Sequence, residues 1–158
     1  MEQEIERKFF VKTMPDLSAL SGIRDERYYL YVSDKIEIRI QKRGEKYELE
    51  RMAEYARLSR TQEKIAISKQ EFEALKQFSR GPIIRDSYLL QRHPQITIKI
   101  YHGRFEGLVR AEVEFKSSEE AQTFQPLDWF GREMTEMPIA KDAKLIDLKE
   151  EELHELIR

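Results

Sequence analysis

Charged side chains recur at every second residue in several stretches of this chain, and both signs share a face. Glu4, Glu6 and Lys8 alternate with Ile5, Phe9 and Val11; Glu37, Arg39 and Gln41 with Ile36, Ile38 and Ile40; Arg60, Gln62 and Lys64 with Ile65 and Ile67. Further on, Thr97, Lys99 and Tyr101 alternate with Ile96, Ile98 and Ile100, and Arg110, Glu112 and Glu114 with Ala111, Val113 and Phe115. A period of two puts each set on one side of a strand. On such a face carboxylates can hold a hard cation through oxygen, and Arg or Lys can bind an oxyanion by charge-assisted hydrogen bonds. The alternation alone leaves two readings open. The charged face lies outward in water, as on most antiparallel sheets, or the sheet closes with that face inward and forms a polar tunnel.

The elements that carry these residues are mostly strands. Lys42-Arg43-Gly44-Glu45-Lys46 reads as a hairpin turn, followed by a returning run from Tyr47 to Met52, and Arg27–Val32 and Ile83–Leu90 are two further strand candidates. Ser68-Lys69-Gln70-Glu71 has capping-box spacing ahead of Phe72, Leu75 and Phe78, which predicts an amphipathic helix of about three turns. Ser117–Glu120 repeats the signature before Ala121 and Phe124, and a helical stretch runs over Ala143–Ile157, with Asp147 and Glu150 as places to split it. Pro15–Leu20 predicts one more helical turn, and Trp129-Phe130-Gly131 a loop packed on the body. About seven or eight antiparallel strands with short helices predict an α+β fold built on a large sheet or closed barrel. With 158 residues, no repeats and no linker-like stretch, residues 1–158 read as a single domain.

Composition narrows the function classes. Charged residues make up 37% of the chain, yet Lys plus Arg (28) nearly balances Asp plus Glu (30), for a net of -2. That balance removes the bulk positive charge on which nucleic-acid or anionic-membrane binding depends, so any anion site must be local. There is no Cys, and the three His (His93, His102, His154) are scattered, which argues against thiolate chemistry and zinc. No run approaches the length of a membrane span and the N-terminus does not read as a signal peptide, so a cytoplasmic location is expected. Tyr28, Tyr29 and Tyr31 beside Arg27 are expected to pack rather than to stack on bases.

Glu4-Ile5-Glu6-Arg7-Lys8 resembles the ExExK signature of the CYTH superfamily, also called triphosphate tunnel metalloenzymes, a group that includes class IV adenylyl cyclases, thiamine triphosphatases and inorganic triphosphatases. Later pieces fall in the family's order. Glu37-Ile38-Arg39-Ile40-Gln41 resembles its ExRxR strand, Leu58-Ser59-Arg60 its LSR turn, and Ala111-Glu112-Val113-Glu114-Phe115 its late VEVEF strand. Trp129-Phe130-Gly131 with Thr135-Glu136 resembles the tail of the short bacterial members. The resemblance implies an eight-stranded antiparallel barrel around a triphosphate tunnel, closed or nearly so. Lys and Arg would bind the phosphates and carboxylates would hold Mg or Mn. It makes Glu4, Glu6, Glu112 and Glu114 the expected metal ligands. Lys8, Arg39, Arg60, Arg85 and Lys141 become the expected phosphate ligands, and Glu4, Glu6, Lys8, Arg39 and Arg60 the catalytic set. The implied partner is a small phosphate-rich anion such as triphosphate, thiamine triphosphate or a nucleoside triphosphate. Neither nucleic acid nor membrane is expected, and the chain is read as a monomer or homodimer.

Departures from the family pattern cluster on the polar faces. Gln41 stands where a second Arg is expected, Met52 where an inward Lys is expected, Gln62 and Lys64 where acids are common, Thr97 and Lys99 where acids include a metal-ligand Asp, and Ser87 where a basic residue is expected. Two functional readings follow. In one, the chain is a metal-dependent triphosphatase with a reduced set of donors. In the other it is a degenerate anion-binding or interaction protein whose metal site is neutralised by Lys99 and Lys64. Nothing in the sequence reads as an adenine pocket, so cyclase activity ranks below hydrolysis.

Overall fold

In a computed structural model, which describes residues 2–157, nine strands form one antiparallel sheet that rolls up and closes. They are β1 (Glu2–Val11), β2 (Ile23–Val32), β3 (Ile36–Arg43), β4 (Lys46–Ala56), β5 (Ser59–Ala66), β6 (Arg80–Arg92), β7 (Gln95–Tyr101), β8 (Val109–Glu114) and β9 (Phe130–Glu133). The order is β5-β4-β3-β2-β6-β7-β8-β1-β9, and β1 also pairs with β5, with Glu4 opposite Arg60 and Ile5 opposite Ser59. Eight strands therefore make a closed barrel, and β9 is added outside the cycle on β1. Closure removes the exposed edges that a charge-alternating sheet would otherwise present.

The apolar faces point out of the barrel, the reverse of a small barrel filled by its own core. Helix α1 (Lys69–Lys76) lays Phe72 over Tyr28 and Ile40, and helix α2 (Ser118–Thr123) helps cover Ile5, Phe9, Ala111 and Val113, with Phe124 and Phe130 packed beside it. With the outer face covered by helices, the charged alternate residues face inward. One end of the interior is apolar: Tyr29, Ile83 and Tyr101 pack against Met134, Ile139, Ala140, Ala143 and Leu145. The C-terminal segment, with helices α3 (Asp142–Leu145) and α4 (Glu150–Ile157), thus closes that end. Exposure rises toward the opposite rim, where Lys64 and Gln95 reach solvent.

Several local expectations hold and several are corrected. The capping box at Ser68 and Glu71 is formed on both sides, but α1 stops at Lys76 after about two turns, and Phe78 lies beyond it, 80% exposed. The turn after β3 tightens to Gly44-Glu45, because Arg43 pairs with Lys46; Gly44 takes φ +59°, which Gly adopts without strain. The predicted long C-terminal helix is split into α3 and α4 between Leu145 and Glu150. Pro15–Leu20 makes only a turn closed by Leu20 N–H on the Leu17 carbonyl. Trp129-Phe130-Gly131 is not a plain loop. Phe130 opens β9 and pairs with Val11, because burying its ring against Phe9 (centroids 4.8 Å apart) draws the backbone alongside β1.

Candidate functional site

Each of the eight barrel strands sends charged or polar side chains from alternate positions into one cavity of about 290 Å³. Ten Lys and Arg line it against seven carboxylates, or eight with the fully buried Asp25 just behind Arg85, so the interior is cationic within a chain whose net charge is -2. All nine residues named from the sequence, Glu4, Glu6, Lys8, Arg39, Arg60, Arg85, Glu112, Glu114 and Lys141, line this cavity. The lining is almost wholly polar.

The charges are cross-linked between strands. Arg60 on β5 donates to Glu4 Oε2 at 2.8 Å and to Glu6 Oε1 at 3.4 Å on β1, which ties the barrel seam. Arg39 on β3 donates to Glu50 Oε2 on β4 at 2.9 Å, and Gln62 on β5 donates to the same oxygen at 3.0 Å. Lys8 Nζ donates to the Ala140 carbonyl at 2.8 Å and lies 3.3 Å from Glu6 Oε1. Burial opposes the charged form of Glu50, yet Arg39 and Arg27 hold its carboxyl well below the usual range. Burial likewise opposes ionised Glu112, and Lys8, Lys99, Arg85 and Arg110 overcome it. These groups stay ionised at neutral pH, each paid-for desolvation being offset by a nearby opposite charge.

The deepest part of the cavity was not legible from the sequence. Asp142, the first residue of α3, is buried with one oxygen 3.1 Å from both Arg27 and Arg85 and the other 3.1 Å from Arg110, while Tyr101 O–H donates to it at 2.6 Å. Arg27 lies on a strand that the tyrosines made look like mere packing, and Asp142 lies in a helical stretch with no strand periodicity, so the only signal was its position beside Lys141. Lys141 pairs with Glu54 where the cavity continues toward a side opening lined by Arg57 and Thr135.

Lys99 does not do what the metal-replacement reading requires. Its ammonium points into the barrel but donates to Ser87 Oγ at 2.8 Å, and among the described residues it makes no ion pair with Glu4, Glu6 or Glu112. Lys64 sits at the exposed rim. The carboxylates are paired at close range with Arg60, Lys8, Arg85 and Arg110, and Lys99 acts on Glu112 only from further off. Burial, reinforced by Arg85, pushes the Lys99 ammonium down to about 7. Between about pH 7 and its ordinary 10.5 the unfolded chain therefore holds a proton that the folded one lacks, and stability climbs with pH across that window. Lys99→Met is expected to abolish this climb and to raise stability at neutral pH by a few kcal/mol; equal slopes of denaturant-measured stability against pH in both proteins would refute it.

The metal-ligand candidates match a hard cation in chemistry. Glu6 and Glu114 are direct register partners on β1 and β8, and Glu112 follows one inward position along. No group of three or more metal-ligating side chains converges among the described residues. Two carboxylates facing a cationic pocket suit a Mg-like ion, which commonly takes one or two protein carboxylates and completes its shell with water and substrate phosphate.

A closed barrel with its core outside and a cationic, carboxylate-bearing cavity inside defines a class of proteins built to enclose a small polyanion. Over 136 residues the chain is 33% identical to an inorganic triphosphatase of Nitrosomonas europaea, spanning 84% of this chain and 89% of that protein. The crystal structure of the inorganic triphosphatase NE1496 superposes with a TM-score of 0.65 at 32% identity, covering 92% of this chain and 98% of the other. A conserved protein of Pyrococcus furiosus shares the fold with a TM-score of 0.56 at 16% identity, covering 94% and 93%. No family model matches the chain. The chain belongs to the CYTH superfamily. Among its described residues no helix is long and apolar enough to cross a membrane.

Proposed function

We propose that this protein hydrolyses the phosphoanhydride bond of a small triphosphate inside the barrel, with inorganic triphosphate preferred over thiamine or nucleoside triphosphates, and with Mg or Mn. The observation that carries this reading is the cavity itself: ten cations and seven carboxylates around about 290 Å³, with a wall that is almost wholly polar. Pockets for drug-sized ligands run to roughly 300–1,000 Å³ and are mostly apolar, so this one suits a compact polyanion. The 33% identity to an inorganic triphosphatase supports the same substrate.

In this reading Arg39, Arg60, Arg85, Lys8 and Lys141 are the phosphate ligands. Each is already held in place by a carboxylate or carbonyl, so incoming phosphate exchanges partners with arms that are pre-positioned rather than ordering free ones. Guanidinium groups fixed on opposite walls hold the phosphate chain in line and stabilise charge that spreads over the transferred group. Glu6 and Glu114, flanked by Glu4 and Glu112, would hold the divalent ion, which when bound polarises a phosphoryl oxygen and supplies an activated water. Release of orthophosphate from triphosphate, thiamine triphosphate and ATP, each with Mg and with Mn, tests the proposal. A metal-dependent rate highest on inorganic triphosphate is the expected result, and folded protein that releases no phosphate from any of the three overturns it.

A further inference from the structure

We propose that Asp142 sets the depth of the tunnel: its carboxylate fills an oxyanion subsite at the closed end, so that the bound phosphate chain stops where Asp142 begins. The proposal deepens the triphosphate reading and rests on it for the identity of the chain, though not for the existence of the subsite.

The donors converge as they would on a phosphate. Arg27, Arg85 and Arg110 come from three different strands, β2, β6 and β8, and Tyr101 from a fourth, β7. All three guanidinium groups are buried, reach the same carboxylate at 3.1 Å, and are joined there by the Tyr101 hydroxyl at 2.6 Å. One carboxylate offers two oxygens, fewer than a tetrahedral oxyanion. The donors outnumber them: Arg110 Nε is buried and, among the described residues, without a hydrogen-bond partner. Planar guanidinium forks on separate strands are suited to an oxyanion presenting oxygens in several directions.

The occupant is not part of the wall. Asp142 belongs to the segment that crosses the end of the barrel, whereas the wall supplies its own counter-charges nearby, with Glu112 at 3.7 Å from Arg85 and 3.2 Å from Arg110, and Asp25 at 3.3 Å from Arg85. With Asp142 in place the three guanidinium charges at this end are matched by Asp142, Glu112 and Asp25, which leaves no excess positive charge there to draw a further phosphate. Outside this cluster, Lys8, Arg39, Arg60 and Lys141 remain for the substrate, and Arg85, already bound to Asp142, marks where the two groups meet. The boundary between these two groups is where the tunnel ends for a phosphate chain.

The experiment is metal-free calorimetry of the full chain with orthophosphate, triphosphate and tetraphosphate, on the wild type, Asp142→Asn and Tyr101→Phe. Asn keeps the shape and an acceptor for Tyr101 but removes the charge. Asp142→Asn is expected to bind orthophosphate at least tenfold more tightly than the wild type and to raise the affinity for tetraphosphate relative to triphosphate by a similar factor. Tyr101→Phe, which only loosens the hold on Asp142, moves both readouts the same way by a smaller factor, and decides the matter if Asp142→Asn does not fold. Unchanged orthophosphate affinity and an unchanged chain-length ratio overturn the proposal. Wild-type protein that binds no triphosphate overturns the proposed function, and the orthophosphate comparison still reads the subsite by itself.

Discussion

Glu6→Gln is expected to lower metal-dependent triphosphate hydrolysis by about 10²–10³-fold, the equivalent of roughly 3–4 kcal/mol of transition-state stabilisation. The substitution removes one charge from the carboxylate that stands directly opposite Glu114, where a divalent ion would meet the phosphates. It costs the barrel little. Arg60 keeps its shorter bond to Glu4 at 2.8 Å, its contact with Glu6 being the longer one at 3.4 Å, and Lys8 keeps the Ala140 carbonyl. Activity and stability therefore separate at this position. Steady-state phosphate release alongside a thermal melt checks it. Loss of less than fivefold, or loss matched by a collapse in Tm, would show that Glu6 acts on the fold and not on the chemistry.

The largest effect on stability is expected from Arg39→Met. Arg39 is 3% exposed and its partner Glu50 only 1%, so the variant strands an ionised carboxylate with Gln62 as its remaining hydrogen-bond donor. Breaking a buried pair from one side costs about 3–5 kcal/mol, whereas replacing both charges by apolar groups of similar volume is often neutral. Arg39→Met should thus lower Tm by on the order of 10 °C, at about 2–4 °C per kcal/mol for a chain of this size. The double variant Arg39→Met/Glu50→Met should recover most of the loss while remaining inactive, because it lacks a guanidinium proposed to bind the phosphates. Failure of the second substitution to restore Tm would mean that Arg39 stabilises the barrel through Glu37 or Tyr29 instead. The Glu50 carboxyl lies well below its ordinary range in the folded state, so the pair's contribution is present at neutral pH and is lost only in strong acid.

The two predictions draw on different parts of what the sequence made legible. Glu6 was visible because Glu4, Glu6 and Lys8 alternate at an N-terminus whose motif has family company further along. Glu50 was not, because β4 was read as the return arm of a hairpin, and Glu50-Arg51-Met52 stood out only for a Lys it lacks. Once the barrel closes, Met52 is 1% exposed, a neutral filler at a position expected to carry charge. Gln41 is similar: it lost the expected guanidinium, yet its side-chain oxygen accepts from Arg27 and so orients a cation from the next strand. The substituted positions did not empty the cavity of positive charge, because Arg85 and Arg110 keep it and Arg27 adds to it from a strand where no motif announced a cation.

The sequence by itself determined which residues share a face of each strand, since a period of two admits no other assignment, and it determined the family through motifs placed in the right order. It also bounded the chemistry: without Cys and with three scattered His, thiolate and imidazole centres were set aside and carboxylates, guanidinium groups and ammonium groups became the charged groups to work with. Only the tertiary structure decided that the charged face is inside. That follows from long-range closure, β1 against β5 with Glu4 opposite Arg60, and from α1 and α2 covering the apolar side. Partner choice was decided at the same level. Lys99 turned to Ser87 on the adjacent strand, and Asp142 met arginines as far as 115 residues away, because electrostatic contacts depend on distance in space while alternation records only distance along the chain.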